Sequence, residues 1–156
     1  MIFSSVIISV MGSIIIIIFL TRRVIDVKEE IVKNRNIGIA LVLGSFIWTI
    51  GRMCIETLKP VMNGWYNAYA TGFGIKNIFM FALAVFGSLL VSLLIGALTV
   101  YLSLKMLIMI NKDINEWEEI KRGNIAVAMI ISITVLVVGT FFESINSYIV
   151  LNLINF

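Results

Sequence analysis

Apolar residues fill four tracts of this chain, and the charges collect between them. Residues 1–20 carry no charged side chain, and residues 77–110 carry only Lys105. A second apolar tract runs from residue 37 to about 58, and a fourth begins at residue 125. Runs of about 18 or more apolar residues read as membrane-crossing helices: at about 1.5 Å rise, twenty residues reach roughly 30 Å, one hydrocarbon thickness. An open strand edge leaves backbone groups unsatisfied in lipid, so all four tracts are predicted to be helical. The expected spans are about 2–20 and 37–58, one within 78–110, and one over 125–151. The third tract, at roughly 50 Å, exceeds a perpendicular crossing, and tilt or an emerging end would absorb the excess. The first tract has no basic residue ahead of its apolar core and no small-residue cleavage site, so it reads as a retained span.

Composition and charge sharpen this picture. Hydrophobic residues make up 60% of the chain and charged residues 13%, where a soluble domain is about a quarter charged. The net charge of +3 comes from basic residues placed between apolar tracts, which points to membrane topology and away from nucleic acid. Arg22, Arg23, Lys28, Lys33 and Arg35 occupy the first linker, and Lys112, Lys121 and Arg122 occupy the third. The middle connection holds only Lys59 and Lys76. The positive-inside rule therefore expects linkers 21–35 and 111–124 in the cytoplasm and both termini outside. Residues 59–77 read as an outer loop whose Trp65, Tyr66, Tyr69 and Phe73 suit an aromatic belt at headgroup level.

The two basic linkers lead into nearly the same sequence. After Glu-Glu-Ile, EEIVKNRNIGIALVLGS (29–45) and EEIKRGNIAVAMIIS (118–132) differ by one residue in the linker and then run in step. Asn36 matches Asn124, Ile37 matches Ile125, Ala40 matches Ala128, and Gly51 matches Gly139; Gly38 faces Ala126 and Gly44 faces Ser132. The expected fold is thus an all-α polytopic membrane protein of four helices. Residues 1–58 and 78–156 form two helix–linker–helix repeats that enter the membrane from the same side, unlike inverted repeats. Asn36 and Asn124 are expected to cap the free amides where the second and fourth helices begin.

The doubled pattern of acidic pair, Gly-Asn and small residues resembles the YjfL-like family of small bacterial inner-membrane proteins, tandem two-helix units of unknown function. Gly123-Asn124 with Ala126 and Ala128 carries the resemblance; in the first copy Arg35 stands in place of the glycine and Gly38 in place of an alanine. The resemblance implies a bacterial inner-membrane location and this fold, and it supplies no activity or active site.

Candidate chemistry is sparse. The chain has no histidine, so the commonest general base and metal ligand are missing. Cys54 is the single cysteine, which excludes an intrachain disulfide. No phosphate loop or nucleophile–base pair is visible, and no catalytic residue, metal or cofactor is expected. Ionisable residues in apolar tracts are costly and often functional, which singles out Arg52, Glu56 and Glu143. Small residues recur every four positions at Ser5, Ser9 and Ser13 and at Ala84, Ser88, Ser92 and Gly96, the spacing of close helix packing in lipid. In the linkers, Val24, Val27 and Ile31, and Ile110, Ile114 and Trp117, fall on single helical faces. Ile114, Trp117 and Ile120 are the expected contacts for a cytoplasmic partner or for lipid. The leading expectation is a non-enzymatic, homo-oligomeric scaffold or partner-binding subunit of the bilayer. The alternative is an oligomeric channel or carrier for small ions along the serines and Arg52, Glu56 or Glu143.

Overall fold

The computed structural model describes residues 11, 12, 14, 15, 17, 18, 21, 26–70, 74–110 and 115–154, by backbone alone at 65, 67–70, 75–77, 110 and 154. Every regular element among them is helical. A π-helical turn, α1 (Glu29–Lys33), precedes α2 (Ile37–Ala70), α3 (Ile75–Ile110), the short α4 (Glu116–Lys121) and α5 (Ile125–Ile154). Three of these are long and apolar enough to cross a membrane, over Ile37–Gly64, Ile78–Met109 and Ile125–Leu153. Most of the predicted first span lies outside the described residues, as do Ser5, Ser9 and Ser13. The described positions of 11–21 are helical. Ile17 is buried in the main core, and Gly12 lies so close to Leu93 of α3 that an added Cβ would sit 3.0 Å from its Cδ1.

α2 is the central helix: 56% of its apolar window is buried, against 28% for α3 and 22% for α5. α2 and α5 run parallel, because Gly38 meets Ala128 near their starts and Arg52 meets Glu143 further along. α3 is antiparallel to α2, placing Gly96 over Ile50 and Ser92 beside Thr57. In lipid, an apolar side chain gains little by exchanging hydrocarbon for another helix, so close backbone approach and polar contacts must hold the bundle. A Cβ on Gly96 would lie 3.2 Å from the Ile50 Cα. A Cβ on Gly139 would lie 2.7 Å from Thr49 Cγ2. Ala84 packs against the second core cluster, and Ser88 and Ser92 are buried. The α3 stripe therefore packs against other helices of the same chain.

The loop expected over 59–77 is helical for most of its length, since α2 continues to Ala70 and α3 starts at Ile75. Pro60 has no N–H to give the Glu56 carbonyl, yet the helix passes through it. Burial supplies the reason: Val61 packs with Val85, Leu89 and Val150 in a core cluster of its own. Tyr66 thus sits near the end of α2, not on a loop.

The two linkers meet at one end of the bundle and fold alike. Asn115 caps α4 by accepting from the Glu118 N–H (3.4 Å). Gly123 ends it in the left-handed region (φ 86°), with its N–H donating to the Ile120 carbonyl and the Asn124 N–H donating to the Glu119 carbonyl. That is a Schellman closure, which favours glycine at the left-handed position. In the first linker Arg35 takes the same position (φ 51°), and the Asn36 N–H donates to the Glu30 carbonyl. Glu30 and Glu119 are the second members of the two acidic pairs, so the same bond closes a segment one residue longer. The π-helical turn of α1 absorbs that extra residue.

Candidate functional site

Two polar groupings lie within the long helices, and a third lies where the linkers meet. The first is charged. Arg52 follows Asn36 by about 24 Å of helical rise, and Glu143 follows Asn124 by about 28 Å. The parallel course of α2 and α5 brings them together, and Arg52 Nη2 donates to Glu143 Oε1 at 2.6 Å. Glu56, one turn beyond Arg52, lies 3.9 Å from the same guanidinium nitrogen and accepts from Lys59 Nζ at 2.6 Å. The sequence-predicted trio is thus assembled, with Lys59 as an added fourth member. Two cations and two carboxylates balance to zero, the arrangement that low-dielectric surroundings require. The carboxylates are the sheltered members, at 15% exposure for Glu56 and 17% for Glu143, whereas Arg52 is 44% exposed. Chemically the set ties α2 to α5 and gives one guanidinium a choice of two carboxylates.

The second grouping is uncharged and fully buried. Asn146 of α5 donates through Nδ2 to the Met53 carbonyl (3.0 Å) and to Thr57 Oγ1 (3.3 Å) of α2. Thr57 Oγ1 also bonds Ser92 Oγ of α3, joining all three long helices. Asn146, Thr57 and Ser92 are each 0% exposed. Oδ1 of Asn146, like Oγ of the neighbouring stripe residue Ser88, has no hydrogen-bond partner among the described residues. The four-residue spacing marks Ser92; it does not mark Asn146 or Thr57. Their signal is chemical: an asparagine deep in an apolar tract needs a partner, and a threonine on the face of Met53 supplies one.

The third grouping surrounds the two asparagines. Asn36 accepts the Ile39 N–H on Oδ1 (3.2 Å), and Asn124 accepts the Val127 N–H (3.3 Å). Both are N-caps, as their position ahead of the helices predicts. Their amides diverge. Asn36 Nδ2 crosses to the Ile120 and Lys121 carbonyls (2.8 and 3.3 Å), while Asn124 Nδ2 reaches Glu119 Oε2 (3.0 Å). Through Asn36 the end of α4 is pinned onto the start of α2.

That pin overturns part of the expected partner surface. Ile120 is fully buried over Gly38, whose missing Cβ makes room for it. Trp117 is half-buried and packs with Val27 and Ile31 against the main core. Ile114 lies outside the described residues. Val27, Ile31, Trp117 and Ile120 therefore fold down onto the helix ends instead of facing outward, and the cross-linker hydrogen bonds of Asn36 hold α4 there. Val32, Lys33, Arg35, Glu118, Lys121 and Arg122 are among the described linker residues that are exposed. Compared with protein-family models, with curated proteins and with solved structures, the chain matches none of them.

Proposed function

We propose that the chain is an integral membrane protein of two like-oriented helix–linker–helix units, four spans in all, that acts by interaction as a homo-oligomeric scaffold or partner-binding subunit. The observation that carries this reading is the outward surface of the long helices. Phe79, Leu83, Phe86, Leu90 and Leu94 on α3, and Ile133, Val137, Phe141 and Tyr148 on α5, are all exposed. Such faces are stable only against lipid or another apolar surface. The repeat is supported by the paired left-handed residues Arg35 and Gly123, the paired caps Asn36 and Asn124, and the parallel course of α2 and α5. The same pairing underlies the proposed kinship with the YjfL-like inner-membrane proteins. Both linkers take the cytoplasmic side, and both termini the other, by the distribution of Lys and Arg.

Single cysteines at Glu118 and Asn63, placed in a Cys54→Ala background, test the topology by impermeant labelling from each side. Opposite accessibility is expected; labelling of both from one side overturns it. Native mass spectrometry from lipid nanodiscs tests assembly. More than one chain per particle is expected, and monomers at every protein-to-lipid ratio defeat the oligomer. Val32→Asp and Glu118→Lys alter exposed linker residues without entering the core, so a cytoplasmic partner recovered with the parent should be lost with these variants. Equal recovery removes the linkers as its binding surface.

A transport role is the second reading, favoured by the Arg52–Glu143 pair and the Thr57–Ser92–Asn146 seam among the long helices. Reconstituted protein would then pass small ions, and Glu143→Gln would change the flux. Liposomes that stay silent across pH and voltage, with insertion verified, exclude it.

A further inference from the structure

The meeting point of the linkers contains a basic cleft that adjoins an apolar groove. The cleft has a volume of about 340 Å³ and is lined by Asn34, Arg35, Lys121, Arg122 and Ile37, with no carboxylate in its wall. Arg122 pairs with Glu119 at 3.1 Å. Arg35 and Lys121 have no ion-pair partner among the described residues. The groove, about 500 Å³, runs between α2 and α5 past Ile37, Ala40, Gly44, Ser132 and Leu136 to Trp48. Ile37 belongs to both walls, so the cleft and the groove adjoin at its side chain. The groove floor is low because, beyond its own helix turn, Gly44 has no atom of the described residues within 4 Å of where a Cβ would stand. Trp48, 64% exposed, closes the far end. From Ile37 to Trp48 the helix rises about 16 Å, close to half of a hydrocarbon core roughly 30 Å thick.

We infer that this cleft and groove together bind one anionic phospholipid of the linker-side leaflet, its phosphate held by Arg35 and Lys121 and one acyl chain lying against Gly44 between α2 and α5. The inference rests on the reading of α2 and α5 as membrane spans. Three features agree on the occupant. The site is cationic at one end and apolar along the rest, the polarity of a lipid with an anionic head. Its apolar length matches one leaflet and not two. Its basic end lies among the charged linkers, where a headgroup would stand. A soluble phosphate would use the cleft and leave the groove without purpose.

The test uses the full chain released from nanodiscs of equal phosphatidylglycerol and phosphatidylcholine and weighed by native mass spectrometry. One phosphatidylglycerol should be retained per chain in preference to phosphatidylcholine. Arg35→Gln with Lys121→Gln changes only exposed side chains and should weaken that retention roughly tenfold or more, the loss expected for charge-assisted hydrogen bonds. Gly44→Leu should weaken it as well without lowering the melting temperature; if that variant does not fold, Ala40→Leu fills the same groove. Glycerol 3-phosphate is the soluble probe and should bind far more weakly than the lipid. Retention indifferent to both sets of variants overturns the site. Glycerol 3-phosphate binding as tightly as the lipid, with Gly44→Leu silent, reassigns the cleft to a soluble phosphate and overturns the lipid. Extraction of the parent protein by alkaline carbonate is a separate outcome: it overturns the membrane reading itself.

Discussion

Gly51 and Gly139 occupy matched positions in the two similar segments, yet their surroundings predict opposite responses to the same methyl group. A Cβ on Gly139 stands 2.7 Å from Thr49 Cγ2 and 3.2 Å from Thr49 Oγ1, where carbon atoms in contact prefer about 3.5–4.0 Å. Thr49 is buried at 3% exposure and is β-branched, so it has little rotameric freedom with which to yield. Overpacking of this kind costs about 1–3 kcal/mol. Alanine in place of glycine in a helix interior returns about 1 kcal/mol. Gly139→Ala should therefore destabilise the fold by about 1 kcal/mol net. Beyond its own helix turn, Gly51 has no atom of the described residues within 4 Å of the place its added methyl would take, so Gly51→Ala should stabilise by up to about 1 kcal/mol. Thr49→Ala should rescue Gly139→Ala, because it removes both crowding atoms, and the Thr49 Oγ1 has no hydrogen-bond partner among the described residues. The coupling between the two sites should be about 1–2 kcal/mol. Unfolding by SDS titration in mixed micelles, followed by circular dichroism, measures the parent, the three single variants and the double variant. If Gly139→Ala proves as stable as the parent, or Gly51→Ala is destabilised to the same degree, the close approach of α2 and α5 is not as described.

Further outcomes can be read in the same assay. Arg35 holds a left-handed conformation that glycine adopts without penalty, so Arg35→Gly should stabilise by about 1 kcal/mol, and Gly123→Ala should destabilise by a similar amount; equal and neutral effects refute the backbone argument. Asn36→Ala removes a cap and two bonds to the α4 carbonyls, whereas Asn124→Ala removes a cap and one bond to a carboxylate. The first should cost about 2 kcal/mol and the second about 1, and a reversed order counts against the cross-linker pin. Exchanging the charges, Arg52→Glu with Glu143→Arg, should recover stability lost in either single variant; no recovery means the pair contributes nothing specific.

Much of this architecture is legible in the chain because helices in lipid announce themselves through length and apolarity. The starts of α2 and α5 are legible too, since an asparagine before an apolar run has one obvious task. The far end of α2 is not. Nothing local distinguishes 59–70 from a loop, and Pro60 argues against a helix; only the burial of Val61 against α3 and α5 decides it. The linker faces mislead for a related reason. Trp117 and Ile120 have the spacing of an exposed amphipathic face, and the spacing does not say that Gly38 leaves a hollow beneath them. The charged trio is visible as one candidate site, but which pairs form is not, because that depends on two helices running parallel with their starts aligned. Asn146 and Thr57 stay hidden because each finds its partner on another helix.

The seam of Asn146, Thr57 and Ser92 has a consequence for how the bundle finds one arrangement. α5 is apolar nearly all the way round, so turning it about its own axis trades one oily surface for another at almost no gain or loss. Hydrophobicity alone would leave many azimuths of comparable energy. The side-chain amide of Asn146 singles out one of them, since only there do its N–H groups meet the Met53 carbonyl and Thr57 in place of hydrocarbon. The hydroxyl of Ser92 then indexes α3 to the same reference. In this protein, three small polar side chains set the azimuth that a water-soluble bundle would take from its greasy stripe.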